Sequence, residues 1–419
     1  MPIRSSYIRR ISLAVLAALV ACGGAGPTSP TAVAPALTAL PRDLTSAERS
    51  VLSASNAFSF ALWKRVNSAQ KDSNVFVSPL SASFSLGMAM NGAANQTLDD
   101  MRTGLQFGGA SIADIDAGYK SLIALLTSLD PKVTMEIANS IWYRNTFPFN
   151  QSFLDDGANY FGATIKPLDF ASADASLAAI NGWVNTQTKG RIPSIIDKIE
   201  PENVMFLINA IYFKGSWRER FDPALTQDAT FHATAGDQTA RLMHRHAKML
   251  YAETATYQAV DLPYGDSAFT MTVVLPKAGT TVESLAASLD AATWQVLASG
   301  FHTADIDLYL PRVKMSWARG LIPDLKGLGM LAPFADGADF TRMSTRGREL
   351  YISSVRQKTF VDINEEGTEA AAVTSTGVSV TSLPVTTLMR VDRPFVFVIR
   401  ERLSGTVLFL GKVVGGVGQ

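Results

Sequence analysis

Cysteine occurs once in the 419 residues, at Cys22, so no disulfide can brace the chain from within. Histidine is nearly as scarce. The four, His232, His244, His246 and His302, form no His-Glu-x-x-His pattern. His244 and His246 would share a strand face, but no third ligand stands nearby, and a zinc site needs three or four protein ligands. No Gly-x-Ser-x-Gly elbow and no phosphate-cradling glycine loop occurs. Net charge is also missing: Lys plus Arg and Asp plus Glu both number 37, so no global field draws nucleic acid. The densest basic stretch, Arg241, His244, Arg245, His246 and Lys248, reads as a solvated strand face rather than a glycan-binding patch. These absences argue against an enzyme, a metal site and a nucleic-acid binder, and no cofactor is expected.

Apolar residues are abundant, at 47% against 18% charged, enough to bury a large core. Helical spacing runs from Ala47 to Lys71, Ser81 to Met90, Gly118 to Leu129 and Ala175 to Thr188, with one or two helices between Thr280 and Ser299. Strand patterns cover Val133–Tyr143, Val204–Phe213 (leading into a turn at Gly215), Tyr257–Leu262, Phe269–Leu275 and Asp305–Leu310. Three more cover Leu350–Asn364, Phe395–Ile399 and Val407–Val413. Helices first and strands afterwards imply an α+β domain with large antiparallel sheets. No linker interrupts the chain from Glu48 onward.

The N-terminus reads as an address. Arg4, Arg9 and Arg10 precede a short apolar run, Ile11 to Val20, too short to span a bilayer. Leu19-Val20-Ala21-Cys22 then resembles the lipobox of bacterial lipoproteins, which implies removal of residues 1–21 and lipidation of Cys22. Residues 22–47, rich in Gly, Pro, Ala, Ser and Thr, read as an extended tether. The expected location is the cell envelope, at the outer membrane or cell surface, with secretion as the alternative. Asn95-Gln96-Thr97 fits a glycosylation sequon, which a bacterial lipoprotein leaves idle.

The most informative segment is Glu365-Glu366-Gly367-Thr368-Glu369-Ala370-Ala371-Ala372 and its continuation to Thr381. One parity, Thr368, Ala370, Ala372, Thr374, Thr376, Val378 and Val380, is uniformly small or β-branched. The other is mixed and wettable. Alternate residues of a strand face opposite sides of its sheet. An ordinary edge strand and a loop able to insert into a sheet both satisfy the pattern.

This segment resembles the reactive-loop hinge of the serpins, the serine protease inhibitor family. Asn74-Val75-Phe76-Val77-Ser78-Pro79-Leu80-Ser81 and Asn209-Ala210-Ile211-Tyr212-Phe213-Lys214-Gly215-Ser216-Trp217 resemble two of its motifs. Phe221-Asp222-Pro223, Leu262-Pro263-Tyr264, Met271-Thr272-Val273-Val274-Leu275-Pro276 and Leu310-Pro311-Arg312 follow in family order. Asp392-Arg393-Pro394-Phe395-Val396-Phe397 and Phe409-Leu410-Gly411-Lys412-Val413 close the match. The resemblance implies one serpin domain over residues 48–419, a monomer, that inhibits a serine protease (a cysteine protease is the alternative target) through a covalent complex. A non-inhibitory binding or carrier serpin is the other reading.

The resemblance also assigns sites. The hinge is Glu365 to Ala372. The reactive bond falls at Thr381-Ser382 counted from Gly367, with Val380 and Leu383 as alternatives. Small residues there suit an elastase-like or subtilisin-like target rather than a trypsin-like one. Ser78, Ser81 and Asn209 match the shutter beneath the main sheet, where Gln357 stands in place of the usual histidine. Gln can supply the hydrogen bonds but does not titrate, so weak pH dependence is expected. Trp217, Arg312 and Glu365 match the breach, where the loop begins to insert, with Arg312 and Glu365 as a partly exposed ion pair.

Overall fold

The computed structural model describes residues 35–368 and 386–417. The first helix, α1 (Ser46–Ala69), opens on a capping box: the Thr45 hydroxyl accepts from the Glu48 N–H, and the Glu48 carboxylate accepts from the Thr45 N–H. Leu37 lies within the part assigned to the tether, yet its N–H donates to the Asp266 carbonyl and its own carbonyl accepts from Arg402. Helix α2 (Pro79–Asn91) starts from Ser78 as cap with proline in its first turn, and it is buried on nearly every side. Around it stand α3 (Asn95–Gly104), α4 (Ile112–Ser128), α5 (Gln151–Phe161) and α6 (Ala173–Gln187). Helix α4 begins six residues before the expected Gly118, because Ser111 caps it. Helices α7 (Val282–Ser288), α8 (Ala291–Ser299) and α9 (Ile322–Lys326) are short.

The strands are β1 (Val75–Val77), β2 (Val133–Arg144), β3 (Thr164–Leu168), β4 (Met205–Ser216), β5 (Gln227–Ala233), β6 (Gly236–Glu253), β7 (Tyr257–Pro263) and β8 (Phe269–Pro276). After them come β9 (His302–Pro311), β10 (Val313–Gly320), β11 (Arg356–Asn364), β12 (Gly367–Thr368), β13 (Thr387–Arg390), β14 (Phe395–Glu401) and β15 (Val407–Val413). Among the described residues they form two sheets. One runs β1-β15-β14-β8-β7-β6-β9-β13, with β5 attached to β6. Its β14 and β15 are buried at every residue, which is why both are mostly apolar, with Arg400, Glu401 and Lys412 as buried charged exceptions.

The other sheet, ordered β10-β11-β12-β4-β2-β3, carries the candidate site. Strands β2 and β4 pair antiparallel from Val133–Gly215 to Tyr143–Met205. Strand β12 pairs antiparallel with both β11 and β4, so those two long strands run parallel to each other. Two expectations need correction. Strand β11 begins at Arg356, not Leu350, because residues 350–355 are irregular. Strand β4 does not turn at Gly215 but continues to Ser216, holding Gly215 within the ladder.

Candidate functional site

The hinge is built from the backbone up. Glu365 and Glu366 form a turn, braced by the Glu366 N–H donating to the Asn364 side chain at 3.0 Å. Gly367 follows with φ +149°, a conformation L residues rarely adopt. A Cβ there would lie 2.1 Å from the Gly215 carbonyl oxygen, so only glycine fits. Gly367 pairs with Asn364 and Ser216, and Thr368 pairs with Ile363 and Gly215. The turn itself is fastened to the chain after β4: the Trp217 N–H donates to Glu366 O at 2.8 Å and the Phe221 N–H to Glu365 O at 3.0 Å.

Aromatic rings seat the hinge. Trp217 stacks on Tyr264, with centroids 4.5 Å apart and planes 13° apart, and donates from Nε1 to the Asn364 carbonyl at 2.8 Å. Trp217 is therefore both core packing and a clamp on the last residue of β11. Tyr264 lies over Gly215, where a Cβ would come within 2.8 Å of its ring. Its hydroxyl meets the Thr368 hydroxyl at 2.7 Å. Burial pushes the Tyr264 phenol far above its usual range, and the bond to Thr368 only partly opposes this. The sequence marked Tyr264 as part of a motif but not as the partner of the hinge.

Arg312 and Glu365 do pair, with three N–O distances of 2.7–3.0 Å. The pair is asymmetric rather than evenly exposed: the Arg312 side chain is 39% exposed and that of Glu365 only 5%. Thr226 donates to the same carboxylate at 2.5 Å. Burial pushes the Glu365 carboxyl upward, but the bonds from Arg312 and Thr226 outweigh it and hold it below the usual range.

The four shutter candidates do not form one cluster. Gln357 pairs with the Ser78 backbone on both edges of its amide, accepting from the Ser78 N–H at 2.9 Å and donating to its carbonyl at 2.7 Å. The Ser78 hydroxyl donates to Leu408 O at 2.9 Å and accepts, as helix cap, from the Ser81 N–H at 3.4 Å. Asn209 instead donates to Asn139 at 2.6 Å, and Asn139 donates to the Phe161 carbonyl at 2.7 Å. A cavity of about 410 Å³ lies between the two groups, lined by Ser81, Asn209 and Gln357 among others. Sequence reasoning missed Asn139, which carries no signal of its own in an alternating strand.

The remaining candidates lie elsewhere. Hinge residues Glu369, Ala370, Ala371 and Ala372, the bond candidates Val380, Thr381, Ser382 and Leu383, and Cys22 lie outside the described residues. His244 pairs with Asp307 at 2.6 Å and stacks on Tyr309, and His246 pairs with Asp305, so the two histidines of the basic stretch are answered across the β6–β9 ladder, while Arg241 meets Asp228 on β5. The sequon is occupied by structure: Asn95 donates to Asp339 at 2.8 Å, and Thr97 is 2% exposed.

The family model described as Serpin (serine protease inhibitor) matches residues 53–415. The chain belongs to the serpin family. Among its relatives, the leukocyte elastase inhibitor of Equus caballus is 32% identical over 375 residues, covering 86% of this chain and 97% of that one. Neuroserpin of Gallus gallus is 30% identical, covering 84% and 88%. The serpin fold is equally plain in solved structures. Tengpin, a thermophilic serpin in its native state, superposes with TM-score 0.79 at 30% identity, covering 89% of this chain and 95% of that one. Human thyroxine-binding globulin gives 0.81 at 28%, covering 88% and 99%.

Proposed function

We propose that this serpin is inhibitory and disables a serine protease by inserting its cleaved reactive loop as a new strand between β11 and β4. The observation that carries the reading is the register of β12. Continued antiparallel from Thr368, it sets position 374 between Gln357 and Asn209, and positions 375–378 beside Ile208 to Met205. Thr368 is buried, so the small parity that follows it faces the core on insertion.

The chemistry belongs mainly to the attacker. Its serine attacks the carbonyl before the reactive bond, the amine on the far side leaves, and an ester joins protease to loop. Insertion then adds backbone hydrogen bonds and buries apolar surface. Fifteen residues at about 3.3 Å each make a strand of about 50 Å, which carries the ester away from its deacylating water. The driving force is a native state held kinetically rather than at its lowest free energy. Small residues at Val380 and Thr381, with a relative named for leukocyte elastase, favour an elastase-like or subtilisin-like target, a cysteine protease being the alternative.

Incubation with elastase and subtilisin should give an SDS-resistant complex and a released C-terminal fragment beginning at Ser382. Cleavage at that bond with the protease left active and no rise in heat resistance sinks the reading. Similarity to thyroxine-binding globulin favours a carrier as the second reading, and that outcome would select it. We further propose that Cys22 bears acyl chains that tether the domain to the envelope, each buried methylene contributing about 0.8 kcal/mol. Replacing Cys22 with Ser should then release the protein from the membrane fraction.

A further inference from the structure

The cavity of about 410 Å³ falls within the range of small-molecule sites, roughly 300–1,000 Å³. Its lining is mixed: Leu86 and Ala89 from α2, Met205 and Leu207 from β4, and Phe340 and Met343 supply an apolar part, with serine, asparagine and glutamine side chains among them. The charges on its lining are uneven in sign, with Arg144, Arg346, Arg356 and Lys358 against Glu202 and Glu349. Three of the cations already face carboxylates: Arg346 pairs with Glu349, Arg356 with Asp197 at 2.5 Å, and Lys358 with Asp197 at 3.9 Å.

Arg144 differs. Among the described residues it has no carboxylate partner. Its Nη2 donates to the carbonyl oxygens of Pro201 and, at 2.6 Å, Asn203, and its Nε is buried with no acceptor. The guanidinium also lies over the Phe170 ring, 5.9 Å from its centroid, but these neutral partners leave a half-buried cation without a counter-charge. An anion beside Arg144 would supply that charge, and an alkyl tail would cover the apolar part of the lining.

We propose that this cavity binds an anionic amphiphile, its acyl tail against Leu86, Ala89 and Met205 and its carboxylate or phosphate head beside Arg144. The proposal deepens the inhibitory reading, on which its consequence rests: the tail occupies the space that positions 374–378 need on insertion. A bound amphiphile therefore shifts the serpin from trapping proteases towards being cut as a substrate.

The test is calorimetric titration of the intact protein with sodium dodecanoate below its micelle threshold. One-site binding is expected, at least tenfold weaker for dodecanol and for the Arg144→Gln variant. Ser85→Leu, which places an isobutyl group in the cavity from α2, should also abolish binding. Arg144→Gln adds no bulk to the cavity, and its folding is checked by an unchanged unfolding transition, so it remains informative if Ser85→Leu fails to fold. Equal affinity for dodecanol, or no effect of Arg144→Gln, overturns the site. Displacement of dodecanoate by phosphatidylglycerol vesicles assigns the head group to a membrane lipid, and its retention assigns it to a free acid. These titrations need no protease, so they stand apart from failure of the inhibitory reading. Binding retained after reactive-loop cleavage overturns the coupling to insertion.

Discussion

Tyr264 and Thr368 share a 2.7 Å hydroxyl–hydroxyl bond, and neither residue is more than 3% exposed. The bond joins the β7–β8 turn to the first loop residue seated in the sheet. Tyr264→Phe keeps the ring stacked on Trp217 and removes only the hydroxyl. Thr368 is then left with an unsatisfied buried group, at a cost of about 1–3 kcal/mol. The intact protein should unfold at lower urea concentration by that amount, while the loop-cleaved form changes less if further strand pairing then holds Thr368. An unchanged urea midpoint would mean that the bond contributes nothing to seating the hinge.

Thr368→Arg tests the seat itself. The site between Ile363 and Gly215 is buried, and seating a long guanidinium there costs desolvation and crowds the ladder. Insertion slows while hydrolysis of the ester does not. The expected result is normal cleavage by elastase or subtilisin with the SDS-resistant complex reduced at least tenfold. Full complex yield from this variant would remove the register argument.

Arg312→Ala strips the counter-charge from a nearly buried carboxylate. Breaking a fully buried pair costs about 3–5 kcal/mol, and the exposure of Arg312 reduces this to about 1–3 kcal/mol. The sign with pH follows from Glu365, whose folded-state carboxyl is held below its ordinary range by Arg312 and Thr226 against burial. Its contribution is present above the ordinary glutamate range and is lost as pH falls through that range and below it. Arg312→Ala should therefore be weakest relative to the parent near neutrality, with the two stability curves converging in acid. Curves that stay parallel down to pH 3 would assign the loss to packing instead.

What the chain disclosed in advance was whatever had a local period. The runs of β14 and β15, the helix face of α1 and the glycine of the hinge are written in adjacent residues. Helix α3, with Gln96, Asp99, Asp100 and Arg102 in its turns, has too few apolar residues for a clear stripe; α5 was missed although Phe153, Leu154 and Phe161 mark a buried face, because it spans only eleven residues; and β3 has only five. Strand β3 exposes Lys166 and carries Pro167 at the sheet edge, where its missing N–H is tolerated. The site was legible as a roll of residues but not as a set of bonds. Family motifs brought Ser78, Asn209 and Gln357 into one group. The fold divides them, because Asn209 finds Asn139 across the β2–β4 ladder and Gln357 finds the Ser78 backbone. Partners seventy or more residues apart leave no mark in local spacing, and this also hid Tyr264.

Asp116 offers a test of the helical body that does not involve the loop. It is 2% exposed at the α2–α4 contact. Burial lifts its carboxyl to about 6; Asn91, donating at 2.8 Å, and Arg342 oppose the rise, and Asp156 adds to it. A carboxyl raised on folding contributes stability that is complete below its unfolded value, about 3.9, and is lost as pH climbs towards 6. A rise of about 2 units corresponds to about 3 kcal/mol over that window. Asp116→Asn keeps an oxygen to accept from Asn91 and cannot ionise. The variant should match the parent at pH 4 and exceed it at pH 7 in urea or thermal unfolding. Glu48 works in the opposite sense, since Arg42 chiefly holds it down to about 2 against burial, so its contribution appears above pH 4 and fades in strong acid. A Glu48→Gln variant should accordingly be weakest near neutrality, where Asp116→Asn is strongest. If both variants shifted stability in the same direction between pH 4 and 7, burial and pairing would have been assigned to the wrong carboxylates.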